Sequence, residues 1–146
     1  MNSRWSHPTP PEFGIPEALT IAGPAVGAEW TQTVPNNTLW LVTAVGFTLL
    51  ADANVSTRES NIILDIGGVD RRIGIPANTQ AAGQSRQYLF TWSPHGANPF
   101  VNIPGMIPHR LYLQPGWILE SVTTGIQVGD QYSSVFILVQ RWLPNI

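Results

Sequence analysis

The chain has 146 residues, enough for one domain with one sizeable core. Only 11% of the residues are charged, against about 25% in ordinary domains, and with no lysine and a net charge of −2 there is no electrostatic basis for binding nucleic acid. Cysteine is absent, which excludes disulfides and thiolate metal sites.

Residues 1–16 carry Pro8, Pro10, Pro11 and Pro16 and read as an extended arm, because proline lacks a backbone donor and favours extended conformation. Trp5 and Phe13 are large apolar anchors on that arm, suited to lying across a neighbour. The arm has no basic region followed by an apolar run, so no secretory signal is expected. No stretch approaches 18 uninterrupted apolar residues, so no membrane-spanning helix is expected.

Residues 17–146 read as the folded domain. Ala18 to Ile21 is a short strand, ended by Ala22-Gly23-Pro24. Glu29 to Val34 alternates in polarity, and Pro35-Asn36-Asn37 makes a turn. Leu39 to Leu50 is long and β-branched, with Leu39, Leu41, Val45, Phe47 and Leu49 expected on one face and Trp40, Val42 and Ala44 on the other. Arg58 to Ile66 follows, with Ile62, Leu64 and Ile66 inward. Gly67-Gly68 signals a tight hairpin, and Val69, Ile73 and Ile75 are expected in the core of the returning strand.

Gln87 to Trp92 is another strand, and residues 93–108 are broken by prolines and glycines into loop. Leu111 to Leu113 is a short apolar run, Pro115-Gly116 a turn, and Trp117 to Thr124 a strand. After the turn at Gly129-Asp130 comes the longest strand, Tyr132 to Trp142. Period-two alternation puts Val135, Ile137 and Val139 on one face and Tyr132, Phe136, Leu138 and Trp142 on the other. A strand apolar on both faces needs cover on both: one from the domain's own second sheet, the other from a loop, the arm or a neighbouring subunit.

Eight or nine short strands without an amphipathic helix predict an all-β domain, an antiparallel β-sandwich or jelly roll behind an extended Pro-rich arm. With no lysine to guard exposed strand edges, pairing within an oligomer is a natural solution.

The sequence carries no catalytic signature. His7, His95 and His109 lack metal-ligand spacing, no serine sits in a G-x-S-x-G setting, and no Gly-rich phosphate loop is present. Nothing in the spacing of the nine carboxylates singles out a facing pair. Glu120 lies in an apolar strand and is expected to pair with Arg110 or Arg141. No catalytic, cofactor-binding or metal residues are assigned, and no cofactor is expected. Six tryptophans invite a carbohydrate-binding reading as the alternative.

Two stretches, TVPNNTLWLVTAVGFTLLADANVSTRESNIILDI (33–66) and LQPGWILESVTTGIQVGDQYSSVFILVQRW (113–142), resemble small β-sandwich virion structural proteins of tailed bacteriophages. In those a VPAGxxWxL opening precedes a long strand, and a PAGxxIxTVTTxxQxGDQ segment precedes the last one. Here Asn36-Asn37 replaces the Ala-Gly of the opening. The resemblance implies a virion component without enzymatic activity, such as a capsid decoration (cement) protein. The expectation is a homo-oligomer, taken as a trimer, that binds the major capsid protein on the outer capsid surface and contacts neither nucleic acid nor membrane. Trp5, Phe13, Phe136, Leu138 and Trp142 are the interface candidates. A tail or fibre module gripping a host glycan is the alternative.

Overall fold

A computed structural model describes residues 14–92 and 102–143. The calls on Trp5, Phe13, His7, His95 and most of the arm lie outside the described residues. Among the described residues there is no helix. Ten strands form one mixed sheet: β1 (Ile15–Ile21), β2 (Thr31–Thr33), β3 (Leu39–Leu50), β4 (Glu59–Ile66), β5 (Val69–Pro76), β6 (Ser85–Thr91), β7 (Ile103–Met106), β8 (Leu111–Leu113), β9 (Ile118–Thr124) and β10 (Gln131–Trp142). The spatial order is β1-β10-β3-β6-β7-β5-β4-β9-β2, with β8 also on β3. The sheet curls nearly into a barrel, leaving β1 and β2 as its two ends.

The turns follow from their residues. Gly67 and Gly68 hold φ of 61° and 88°, the pair of positive values a tight hairpin between twisted strands requires, and the β4–β5 hairpin forms around them. At the Pro35-Asn36-Asn37 turn, Asn37 adopts φ 60°, the left-handed conformation asparagine tolerates best after glycine. β1 starts at Ile15, so the last two residues of the stretch read as an arm pair with Arg141 and Gln140.

Three expectations are corrected by bulges, each of which adds one residue and reverses which face the following side chains take. On β10 the register slips between Ser133 and Phe136, with Ser134 at φ 50°. Tyr132 therefore turns inward to full burial, instead of sharing the outer face with Phe136. On β3 Thr43 is the extra residue, so Trp40 and Val42 before it and Val45, Phe47 and Leu49 after it all reach the core. On β5 Ile73 is the extra residue. It places Gly74 under Ile62 and turns Ile75, 53% exposed, out of the core expected for it; Val69, before the bulge and beside the Gly67-Gly68 turn, is 48% exposed and also outside the core expected for it.

The stretch read as loop before Pro108 contains β7. It runs parallel to β6, so the sheet is mixed rather than wholly antiparallel. Pro104 and Gly105 hid this strand. Gly105 is needed there because a Cβ would come within 2.3 Å of the Phe90 ring.

One core joins both halves of the sheet. Phe47 stacks on Tyr88 at 4.8 Å, meets Tyr132 edge-on at 5.1 Å and contacts Trp30 at 6.0 Å. Ile62, Leu64 and Leu119 close it from the other side. Aromatic pairs in such offset and edge geometries add about 0.5–1.5 kcal/mol each beyond the area they bury.

Candidate interaction face and the polar interior

The outer surface of the β1-β10-β3-β8 region carries Phe136, Leu138 and Trp142 together. None of the three belongs to the core cluster. Phe136 pairs across to Gly46 on β3, and its ring lies flat over that glycine: a Cβ there would stand 2.2 Å from the ring. Gly46 therefore acts as a seat for Phe136. Leu138, 38% exposed, comes next along the same face. Trp142 lies against Gly14 and Tyr112, its ring 6.1 Å from the tyrosine ring. The indole Nε1 of Trp142 is buried and has no acceptor among the described residues. A shallow groove of about 340 Å³ runs beside Leu138, lined also by Pro16, Glu17, Ala18, Thr43, Val139 and Gln140.

Cross-strand neighbours extend this face with Leu41 and Tyr112 beside Gln140, and with Leu89 beside Gly46. Alternation gives it no charged side chain among these neighbours. The outer surface of β4, β5 and β9 is the opposite. Asp65 sits across from Asp70, Glu120 across from Ile63, and Arg72 bonds Glu59 at 2.7 Å. Glu120 does not pair with Arg110 or Arg141 as expected. Arg141 forms an ion pair with Glu17 at 3.1 Å on the far edge, while Glu120 faces Asp70, Asp65 and Glu29. Burial first, and those three carboxylates second, push the Glu120 carboxyl above its ordinary pKa.

Two polar clusters inside the fold were not legible in the sequence. Arg58, fully buried, uses all five N–H donors. Nε and Nη2 grip Asp130 at 3.0 and 2.9 Å, Nη2 also reaches Asp52 at 2.8 Å, and Nη1 serves the Asn54 and Ser56 carbonyls at 3.1 and 2.7 Å. Burial pushes the Asp130 carboxyl up, but the Arg58 hydrogen bond and the N–H groups of Asp52 and Gln127 outweigh it and hold the pKa below its ordinary value. In the second cluster, Glu29 accepts from the Thr123 N–H at 2.7 Å and from the Ser121 hydroxyl at 2.5 Å. Tyr132 joins Ser60 at 2.8 Å and also meets Thr123. Burial pushes the Tyr88 phenol up to about 12 and the Tyr132 phenol higher still, so both stay protonated at neutral pH. These groups satisfy one another across the core and pin loops together. Among the described residues, none of them lines the clefts beside Leu138 or at the start of β6.

Among the described residues no group of three or more His, Asp or Glu lies close enough to hold a metal ion. His109 packs on Trp92, with ring centres 4.5 Å apart. Trp30 and Trp40 are buried in the core, Trp117 and Trp142 half-buried, and Trp92 is 52% exposed. The described tryptophans therefore do not gather into an exposed stacking platform for sugars. Compared with known protein families, curated proteins and solved structures, the chain gives no match.

Proposed function

We propose that the chain is a non-enzymatic virion structural protein of a tailed bacteriophage. In this reading it is a capsid decoration protein that self-associates, as a trimer, through the uncharged face of β10 and binds the major capsid protein on the outer shell. Its fold is a jelly-roll-like sandwich, with β1, β10, β3, β6 and β8 in one layer and β5, β4, β9 and β2 in the other. The carrying observation is the contrast between the two outer surfaces. One is acidic and suited to water; the other presents Phe136, Leu138 and Trp142 with no charge among them. Contiguous apolar surface of this kind marks interaction sites on soluble proteins. Trp5 and Phe13 belong to the same proposal as arm anchors on the neighbour. A protein that binds the assembled shell but not free subunits stabilises the shell by mass action.

Light scattering on a sizing column tests the self-association, with a mass of three chains expected. Leu138→Lys introduces a charge at a position already partly in water. It should dissociate the oligomer while leaving the circular dichroism spectrum unchanged. A monomeric parent protein, or a Leu138→Lys variant that assembles as before, would remove this face from the proposal. Co-sedimentation with purified capsids, and an upward shift in the temperature of capsid opening, test the second half.

A further inference from the structure

A second surface, away from the β10 face, has the chemistry of a small-molecule site. A cleft of about 470 Å³ opens where β6 begins, a volume within the range of roughly 300–1,000 Å³ typical of ligand pockets. β6 sends Phe90 and Tyr88 into the core, both buried. The same inward row continues to Arg86, which pairs across to the fully buried Leu49 of β3. Arg86 is thus an inward-pointing cation at the mouth of the core.

Its orientation is fixed from behind. Gln84 Oε1 accepts from Arg86 Nε at 3.3 Å and from the Ala81 N–H at 3.2 Å. The two terminal nitrogens of Arg86 have no acceptor among the described residues. Arg58, Arg72 and Arg141, by contrast, each hold a carboxylate. The cleft wall adds Thr57, Asn78, Thr79 and Asn102, and the described residues lining it include no carboxylate and no aromatic ring. Asn102 accepts the Gln87 N–H at 3.0 Å through its carbonyl oxygen, which leaves its NH₂ group as a donor.

We infer that this cleft binds a saccharide unit bearing one carboxylate, a uronic- or sialic-acid-type sugar. Arg86 takes the carboxylate, and Thr57, Asn78, Thr79 and Asn102 bond the ring hydroxyls. A guanidinium with both terminal nitrogens free matches a carboxylate two-on-two. One cation without further donor-only side chains suits a monoanion better than a phosphate dianion. Hydroxyls and amides both donate and accept, as sugar hydroxyls do, so the wall suits a polyol better than the side chain of an acidic peptide. The site is independent of the self-association proposed above.

The test is an NMR titration of the full chain with glucuronate, galacturonate and N-acetylneuraminate, with glucose, acetate and a hexaglutamate peptide as controls. At least one acidic sugar should shift the Arg86 Nε–H and the Asn102 side-chain amide and saturate, binding about tenfold more tightly than glucose, the difference that one charge-assisted pair supplies, and more tightly than acetate, which lacks the ring hydroxyls. Arg86→Gln should lose the margin over glucose with its melting temperature preserved. Asn78→Ala, at an exposed position safe for folding, should weaken the sugar but not acetate. Four results overturn the inference: no acidic sugar binds; acetate binds as well as the sugar; Arg86→Gln binds as the parent does; or hexaglutamate binds most tightly, which would make the cleft a socket for a protein side chain.

Discussion

Replacing Arg58 with methionine tests the account of the polar interior most directly. The side chain is wholly buried and donates to two carboxylates and two backbone carbonyls. Methionine fills much of the space but leaves Asp130, also wholly buried, without its cation. Breaking a buried ion pair from one side costs about 3–5 kcal/mol. Asp130 keeps the N–H groups of Asp52 and Gln127, and Asp52 keeps those of Asn54 and Gly129, which places the cost toward the lower end, about 3 kcal/mol. That is a large share of the roughly 5–15 kcal/mol that holds a domain together, and corresponds to a fall in melting temperature on the order of 10 °C. Urea denaturation at pH 7, followed by tryptophan fluorescence, measures it. Arg72→Met is the control: its pair with Glu59 is 48% and 38% exposed, so it should change stability by less than about 0.5 kcal/mol. The gap between parent and Arg58→Met also depends on pH. Because the folded-state pKa of Asp130 is depressed, its stabilisation is present above the unfolded value of about 3.9 and is lost as pH falls through the folded value, so the two curves should converge in acid. A loss under about 1 kcal/mol at pH 7, no larger than a surface pair gives, would refute the assignment of Arg58 as the pin of this end of the fold.

Gly46→Ala should cost about 1–3 kcal/mol by pushing Phe136 off its seat, and adding Phe136→Ala should recover part of that loss; strict additivity in this double-mutant cycle would show that the two do not touch. At Ser134, φ 50° penalises a β-branched side chain, so Ser134→Val should lower stability by about 1–3 kcal/mol while Ser134→Gly leaves it unchanged or raised, as read by thermal melts. Burial and acidic neighbours raise the Glu120 pKa, so its ionisation opposes folding: the stabilising contribution is present below the unfolded value and lost as pH rises through the folded one. Glu120→Gln should therefore melt higher than the parent at pH 7, with the difference vanishing in acid; an equal gap at both pH values would contradict that origin.

The punctuation of the chain was legible. Gly67-Gly68 and Pro115-Gly116 form the turns their residue types demand, and Leu111 to Leu113 and the strand ending at Thr124 lie as read. What the sequence hid depends on partners. A bulge is defined by the strand opposite, so nothing local to Thr43, Ile73 or Ser134 announces it, yet each reverses a face assignment. β7 was hidden because Pro104 and Gly105 argue against a strand, and its pairing is short and parallel. Arg58 meets Asp130 across 72 positions, a separation that no motif spans. Phe136, Leu138 and Trp142 do share an outer face as alternation suggested, and Tyr132 left that set only through the bulge.

The pairing of β1 with β10 also has a consequence in time. β10 is the central member of the β1-β10-β3 triplet, yet of the ten described strands it is the last to be synthesised. Until it emerges, β1 has no partner and the long β3 lacks one whole side. A sheet so dominated by contacts between distant parts of the chain closes late, on the millisecond-to-second scale rather than in microseconds. During that interval the nascent chain exposes bare β-edges, the species most prone to aggregate. Truncations that remove β10 should therefore yield insoluble chains rather than a smaller folded domain.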